Sequence, residues 1–246
     1  VLIDSHNLGA FASSGNQSWL HSGAFYALHD AIPLAKQCAK GYHLVEEFAR
    51  RFCSSAIEPA PGCLFLFDRR EEQIRAQATL AVHLSIATEI LGRDELEAIE
   101  PVLKPAVRVP YGLLTPDTPF DSYQILPALL HQAQLCGAVV YSIAPRQLKI
   151  SKHSDIWRIS DGETVIEADV VVCAAGALNS QIFPQVVGRS DEMRIVKCHI
   201  AVIHQRLCRK IIAIRAREAD SLNIVPFEGG VTAKTRACDE KLDDPF

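Results

Sequence analysis

The 246-residue chain has no Gly-x-Gly-x-x-Gly turn and no initiator methionine, and its single methionine is Met193. The first absence removes the glycine-rich cradle that holds a pyrophosphate at a helix N-terminus. No lysine or arginine run breaks a formal charge of −4, so nucleic acid is not an expected partner. Apolar runs such as 170–177 are too short to span a bilayer, and no signal peptide is visible, so no integral membrane segment is expected. Eight cysteines are scattered without a Cys-x-x-Cys pair or a zinc-like Cys/His spacing. They read as free thiols in a reducing compartment, which points to a cytoplasmic protein without a metal site. What the chain does have is apolar content, 48% of its residues, enough for a sizeable core.

The pattern along the chain is α/β. Val1-Leu2-Ile3 reads as the end of a buried parallel strand, with Asp4 closing it. The spacing from Pro33 to Phe52 predicts a helix with Pro33 in its first turn. Pro59-Ala60-Pro61-Gly62 breaks the chain, and Cys63–Phe67 reads as a strand. Helices are expected over 71–83 and 93–100, the second halted by Pro101, and residues 111–119 read as a turn-rich connection. Asp121 or Ser122 is expected to cap a helix through Leu135, with Gly137 just beyond it. Strands follow at 138–142, 148–151, 156–160 and 164–166, with Asp161-Gly162 as a hairpin turn, and 168–174 reads as another buried strand. From residue 195 onward the segments 195–203, 210–215, 222–227 and 230–235 read as an antiparallel sheet, in which Pro226 suits an edge. Residues 239–246 are polar and without an expected element. Two interleaved domains are expected: 1–58 with 122–190, and 59–121 with 191–246.

Three segments carry chemistry. An acid at the end of a parallel strand, the place of Asp4, can hydrogen-bond a ribose, although a loop aspartate that turns the chain has the same pattern. The stretch Ser13-Ser14-Gly15-Asn16-Gln17-Ser18-Trp19-Leu20-His21-Ser22-Gly23 combines small residues, which admit a planar ligand closely, with two amide side chains. Ser13 or Ser14 is expected to cap a helix starting there, and an ordinary capped loop remains the plain alternative. Val170-Val171-Val172-Cys173-Ala174-Ala175-Gly176-Ala177 has the make-up of a strand whose C-terminal edge lets a cofactor pass closely, or of a plain core strand with a tight turn.

In this order and spacing, these segments resemble the FAD-dependent oxidoreductases of the D-amino-acid oxidase and glycerol-3-phosphate dehydrogenase superfamily. Further matches are Ala24-Phe25-Tyr26, Leu96–Pro101, Leu113–Tyr123 with Thr115-Pro116-Asp117, Gly137–Val140 and Ala168–Ala177. The resemblance extends to about Gly188 and is diffuse beyond it. It implies a Rossmann-like FAD-binding domain, incomplete at its start, interleaved with an α+β substrate domain containing an antiparallel sheet. It implies that Asp4 meets the adenosine ribose, that Ser13, Ser14, Gly15, Asn16 and Gln17 line the pyrophosphate and flavin, and that Val140 approaches the adenine. Ala174, Ala175 and Gly176 would back the cofactor. His21 would be the catalytic residue, accepting a proton as hydride leaves a small hydroxy acid, glycerol phosphate or amino acid for flavin N5. Lys234 and Arg236 would anchor the anionic part of that small-molecule substrate, although a solvated face explains them as well.

The chain departs from this pattern in three places. The glycine-rich turn is absent, Leu178 stands where relatives often carry an aromatic, and no closing segment is recognisable after Arg236. A fragment of a longer flavoprotein is therefore expected, one that binds FAD poorly alone and exposes unpaired strand edges. A non-catalytic homologue that has lost FAD is the alternative. A nicotinamide-dependent Rossmann enzyme fits residues 16–21 and the C-terminal strands less well.

Overall fold

The computed structural model describes residues 1–5, 9–58, 62–104, 109–144, 146–176, 179–187, 200–215 and 222–234. The expectations for 59–61, 195–199, Leu178, Arg236 and 239–246 lie outside the described residues. In chain order the elements are β1 (Leu2–Asp4), β2 (Trp19–Leu20), α1 (Ala24–Ala27), α2 (Ile32–Phe52), β3 (Cys63–Phe67), α3 (Arg70–Leu84), β4 (Glu89–Leu91) and α4 (Arg93–Ile99). They continue with β5 (Tyr111–Thr115), β6 (Thr118–Pro119), α5 (Ser122–Leu135), β7 (Val140–Ser142), β8 (Lys149–His153), β9 (Ile156–Ser160) and β10 (Val165–Ala168). Last come α6 (Asn179–Val187), β11 (Ile200–Ile203), β12 (Ile211–Arg215), β13 (Leu222–Phe227) and β14 (Gly230–Lys234). Among the described residues no helix is long and apolar enough to cross a membrane, and no cluster of His, Cys, Asp and Glu could hold a metal.

The described residues form two compact units, 1–15 with 129–187, and 16–128 with 200–234. In the first unit β1 runs parallel to β7, pairing Leu2 with Val140 and Asp4 with Ser142. β8, β9 and β10 form an antiparallel meander. Its hairpin turn holds Gly162 at φ 102°, and the Asp161 carboxylate accepts the backbone N–H of Glu163 and Thr164. Those two bonds favour the ionised form and hold Asp161 below the usual carboxylate range. Ile143, Leu148 and Ile159 make the core of this unit, joined by Ile182 of α6.

The second unit is built on a seven-stranded sheet in the order β11-β14-β13-β12-β3-β5-β4. β3 is buried from end to end, and its alternating side chains serve two cores. Cys63, Phe65 and Phe67 face a core with Ala24 and Ala27 of α1, Ala35 of α2, and Ala76 and Leu80 of α3. Leu64 and Leu66 face a second core with Leu91, Leu96 and Ile212. A strand covered on both faces has no polar side to show, which is why 63–67 is a continuous apolar run. α2 begins at Ile32 with Pro33 in its first turn, and α5 begins at Ser122, where Asp121 accepts the Tyr123 N–H at 2.8 Å.

Three local expectations are corrected. Residues 111–119 form β5 and β6 instead of a loose connection, and β5 lies inside the sheet between β3 and β4. Gly112 of β5 is the place where Leu96 packs against the strand and leaves no room for a Cβ. The late strands β11, β14, β13 and β12 pair antiparallel with one another as expected, and β12 joins them in parallel to β3. β13 is interior, yet Pro226 is tolerated: the β12 ladder covers only Leu222, Asn223 and Ile224 and stops short of it. Residues 168–174 are not a buried strand; β10 ends at Ala168, and Val170 and Val172 are 73% and 82% exposed. A β-branched run needs ladder partners to become a strand, and none of the described strands pairs with this one.

Glu100 follows α4, is buried, and its Oε2 accepts the backbone N–H of Arg209 at 2.7 Å and Lys210 at 3.0 Å. It fixes the approach to β12 from over a hundred residues away in sequence. Glu100→Ala strands both donors, so its unfolding free energy should fall by about 2–4 kcal/mol in a denaturant titration. An unchanged midpoint would show that these amides find other partners.

Candidate active site

The expected helix start at Ser13-Ser14 is not there. Phe11–Ser13 is a single 3-10 turn, Ser14 and Gly15 continue as turn and bend, and the next helix, α1, begins only at Ala24. Its N-cap is Gly23 at φ 99°, with no side-chain cap, and a Cβ there would collide with the Ala35 carbonyl of α2. Glycine is required because α1 docks directly on α2. The Ser22 hydroxyl oxygen accepts the Ala24 N–H at 3.4 Å and does the work expected of Ser13 or Ser14.

Other expected residues of the first unit are Asp4, at the end of β1, and Val140, which begins β7 beside it. The Asp4 carbonyl accepts the Ile143 N–H at 3.0 Å. Ala174 is exposed, Ala175 half-buried with its N–H donated to the Asn179 side chain, and Gly176 lies at φ 56° just before α6. These three residues lie on an irregular segment and not on the edge of a strand.

The second unit brings four expected residues close together: Asn16, Gln17, His21 and Lys234. The Asn16 Oδ1 accepts the Ser18 N–H at 2.7 Å, a local loop that holds Ser18 at φ 60°. The Gln17 carbonyl accepts the Thr232 hydroxyl at 3.1 Å, which ties this loop to β14. Thr232 and Lys234 share one face of β14, being two residues apart in a strand. The Gln17 Nε2 is buried and has no hydrogen-bond partner among the described residues.

His21 follows β2. Its ring lies 4.3 Å from the Trp19 ring at an interplanar angle of 32°, with Tyr26 and Phe25 at 5.1 and 5.5 Å. The side chain keeps 24% of its surface exposed, while Nδ1 is buried without a hydrogen bond among the described residues, so the open part of the ring excludes Nδ1. Burial pushes the His21 pKa down to about 4; the Asp117 charge opposes the shift and Lys234 adds to it. The imidazole is therefore neutral at pH 7, the form that accepts a proton.

The residue missed from the sequence is Asp117, in the turn between β5 and β6. It is fully buried, and its Oδ1 accepts the Trp19 Nε1–H and the Ser22 N–H, each at 3.0 Å. Its Oδ2 accepts the hydroxyls of Ser22 at 2.7 Å and Thr115 at 2.6 Å. Tyr42 of α2 donates to the neighbouring Pro116 carbonyl at 2.7 Å. Four donors on two oxygens match the acceptor capacity of a carboxylate. Burial raises the thiols of Cys38 and Cys63, and the Asp117 charge raises them further. Burial pushes Tyr42 up to about 12, with Glu46 and then Asp117 adding to the shift. Thr115-Pro116-Asp117 was visible as a matching motif, but nothing local in it announces partners almost a hundred residues away.

A parallel strand pair in one unit and a mixed seven-stranded sheet in the other, with helices between the strands, make this an α/β protein. The profile of the family described as "FAD dependent oxidoreductase" matches residues 1–245, and the chain belongs to that family. Over 239 residues it is 25% identical to a subunit of the anaerobic glycerol-3-phosphate dehydrogenase of Escherichia coli (strain K12), covering 92% of this chain and 42% of that protein. The chain thus spans less than half the length of that relative. Its fold is similar to the crystal structure of glycine oxidase from Geobacillus kaustophilus, with a TM-score of 0.76 at 20% identity over 98% of this chain and 65% of that one. It is also similar to dithionite-reduced L-alpha-glycerophosphate oxidase from Mycoplasma pneumoniae with FAD bound, with a TM-score of 0.66 at 15% identity over 96% and 64%.

The depressed pKa of His21 has a consequence for stability. Between pH 6.5 and about 4 the unfolded histidine is protonated and the folded one is not. The unfolded state binds the extra proton, so this contribution is full above pH 6.5 and is lost as the pH falls. His21→Gln should show a smaller drop in urea midpoint between pH 7.5 and pH 4.5 than the wild type. An equal drop would place the histidine at its ordinary pKa.

Proposed function

We propose that the chain is the cofactor- and substrate-facing part of an FAD-dependent oxidoreductase that oxidises a small anion bearing a hydroxyl or amine: a hydroxy acid, a glycerol phosphate or an amino acid. The observation that carries this is the neutral His21 beside Lys234 in a wall otherwise built of aromatic rings. The family is FAD-dependent, and the buried, unpartnered Gln17 Nε2 suits an acceptor-rich flavin edge. Asn16 and Gln17 are the candidate cofactor-binding residues of the second unit. Asp4, Val140, Ser13, Ser14, Gly15, Ala174, Ala175 and Gly176 are the candidate cofactor-binding residues that belong to the first unit. Bound, FAD supplies the acceptor for the hydride.

The chain's own residues do the remainder. Lys234 pairs with the substrate anion. That pairing offsets the positive charge that pushes His21 down and raises its basicity when substrate is present. His21 takes the hydroxyl or amine proton as the C–H bond breaks. The aromatic wall of Trp19, Phe25 and Tyr26 limits water around the ring. Cytoplasmic placement fits the free thiols Cys38, Cys53, Cys63, Cys136, Cys173 and Cys208.

In the FAD-loaded protein, Lys234→Gln should raise KM for the anionic substrate by about tenfold or more and change kcat less, as expected for a lost charge-assisted contact. An unchanged KM would return Lys234 to the solvated face. A protein that stays colourless with added FAD would favour the non-catalytic alternative.

A further inference from the structure

We propose that Asp117 is a positioning residue for His21: it grips Trp19 and Ser22 on either side of the histidine and faces Nδ1, so that Nδ1 carries the proton and Nε2 is left as the acceptor. The inference rests on the reading of His21 as the proton acceptor.

Asp117 does not touch the open part of the site; it is fully buried. It reaches the histidine by three routes. Its hydrogen bond to the Trp19 indole fixes the ring on which the imidazole lies, 4.3 Å away. Its two bonds to Ser22, from the backbone and the hydroxyl, fix the residue after His21. Its Oδ1 lies 3.9 Å from Nδ1, too far for a hydrogen bond but close enough for the charge to select a tautomer. A lone pair on Nδ1 would face negative charge; an N–H there is attracted to it. Nδ1 has no other partner among the described residues, so nothing competes with this choice.

The electrostatics around the ring are mixed. Lys234 of β14 disfavours the imidazolium and Asp117 favours it. Tyr26 of α1 packs edge-on at 5.1 Å, and Cys38 and Tyr42 of α2 lie within the field of Asp117. When a substrate O–H breaks, its proton forms the Nε2–H bond and the ring gains one positive charge, which the buried carboxylate opposite Nδ1 offsets.

The test is nitrogen NMR of the imidazole in the full chain, with the His21 signals assigned by their loss in His21→Gln. The wild type should carry its proton on Nδ1. In D117N the two tautomers should mix, and kcat of the FAD-loaded protein should fall by ~10²-fold with KM changed less. A wild type protonated on Nε2, or a folded D117N with an unchanged tautomer, overturns the inference. If D117N does not fold, the wild-type tautomer alone decides. Unimpaired substrate oxidation by His21→Gln overturns the base reading and this inference with it, whereas an unchanged tautomer in D117N overturns this inference alone.

Discussion

A buried carboxylate must find donors, and the second unit is arranged so that Asp117 finds four. An uncompensated charge in that position would cost several kcal/mol, so the turn between β5 and β6 and the strand β2 are held to one geometry. The β2–β6 ladder pairs Trp19 with Pro119 and Leu20 with Thr118, and it aligns the donors with the acid. That register sets the place of His21 against Trp19 and the start of α1 at Ala24. The site is thus an outcome of satisfying one buried group.

The large sheet supplies the rigid background. β3 feeds side chains to cores on both of its faces, and the parallel β3–β12 pair joins the early half of the chain to the late strands. β14, two strands beyond β12, brings Thr232 to the Gln17 carbonyl and Lys234 to the neighbourhood of His21. Residues more than two hundred positions apart in sequence meet because the sheet order puts β14 there.

Local signals in the sequence are legible where one element decides its own form. The periodicity of 33–52 matches α2, the apolar run 63–67 matches β3, and Asp161-Gly162 marks the β9–β10 turn. Signals that depend on distant partners mislead. Val170–Ala174 has a strand's composition without a ladder, and Tyr111–Thr115 looks like a turn because its glycine answers to Leu96. Within the candidate site, the small-residue loop and His21 are the parts that the ordered motifs point to. Asp117 is not, because a single aspartate near a proline reads as turn chemistry until its four donors are known.

His21 and Lys234 are proposed to face a small anion that is oxidised with FAD. The most direct measurement is anaerobic mixing of the FAD-loaded protein with glycerol phosphates, 2-hydroxy acids and amino acids, following the visible flavin absorbance. One of these anions should bleach the flavin, and its neutral analogue, lacking the phosphate or carboxylate, should do so far more slowly. A flavin that none of them reduces, or that the neutral analogue reduces equally fast, would contradict it.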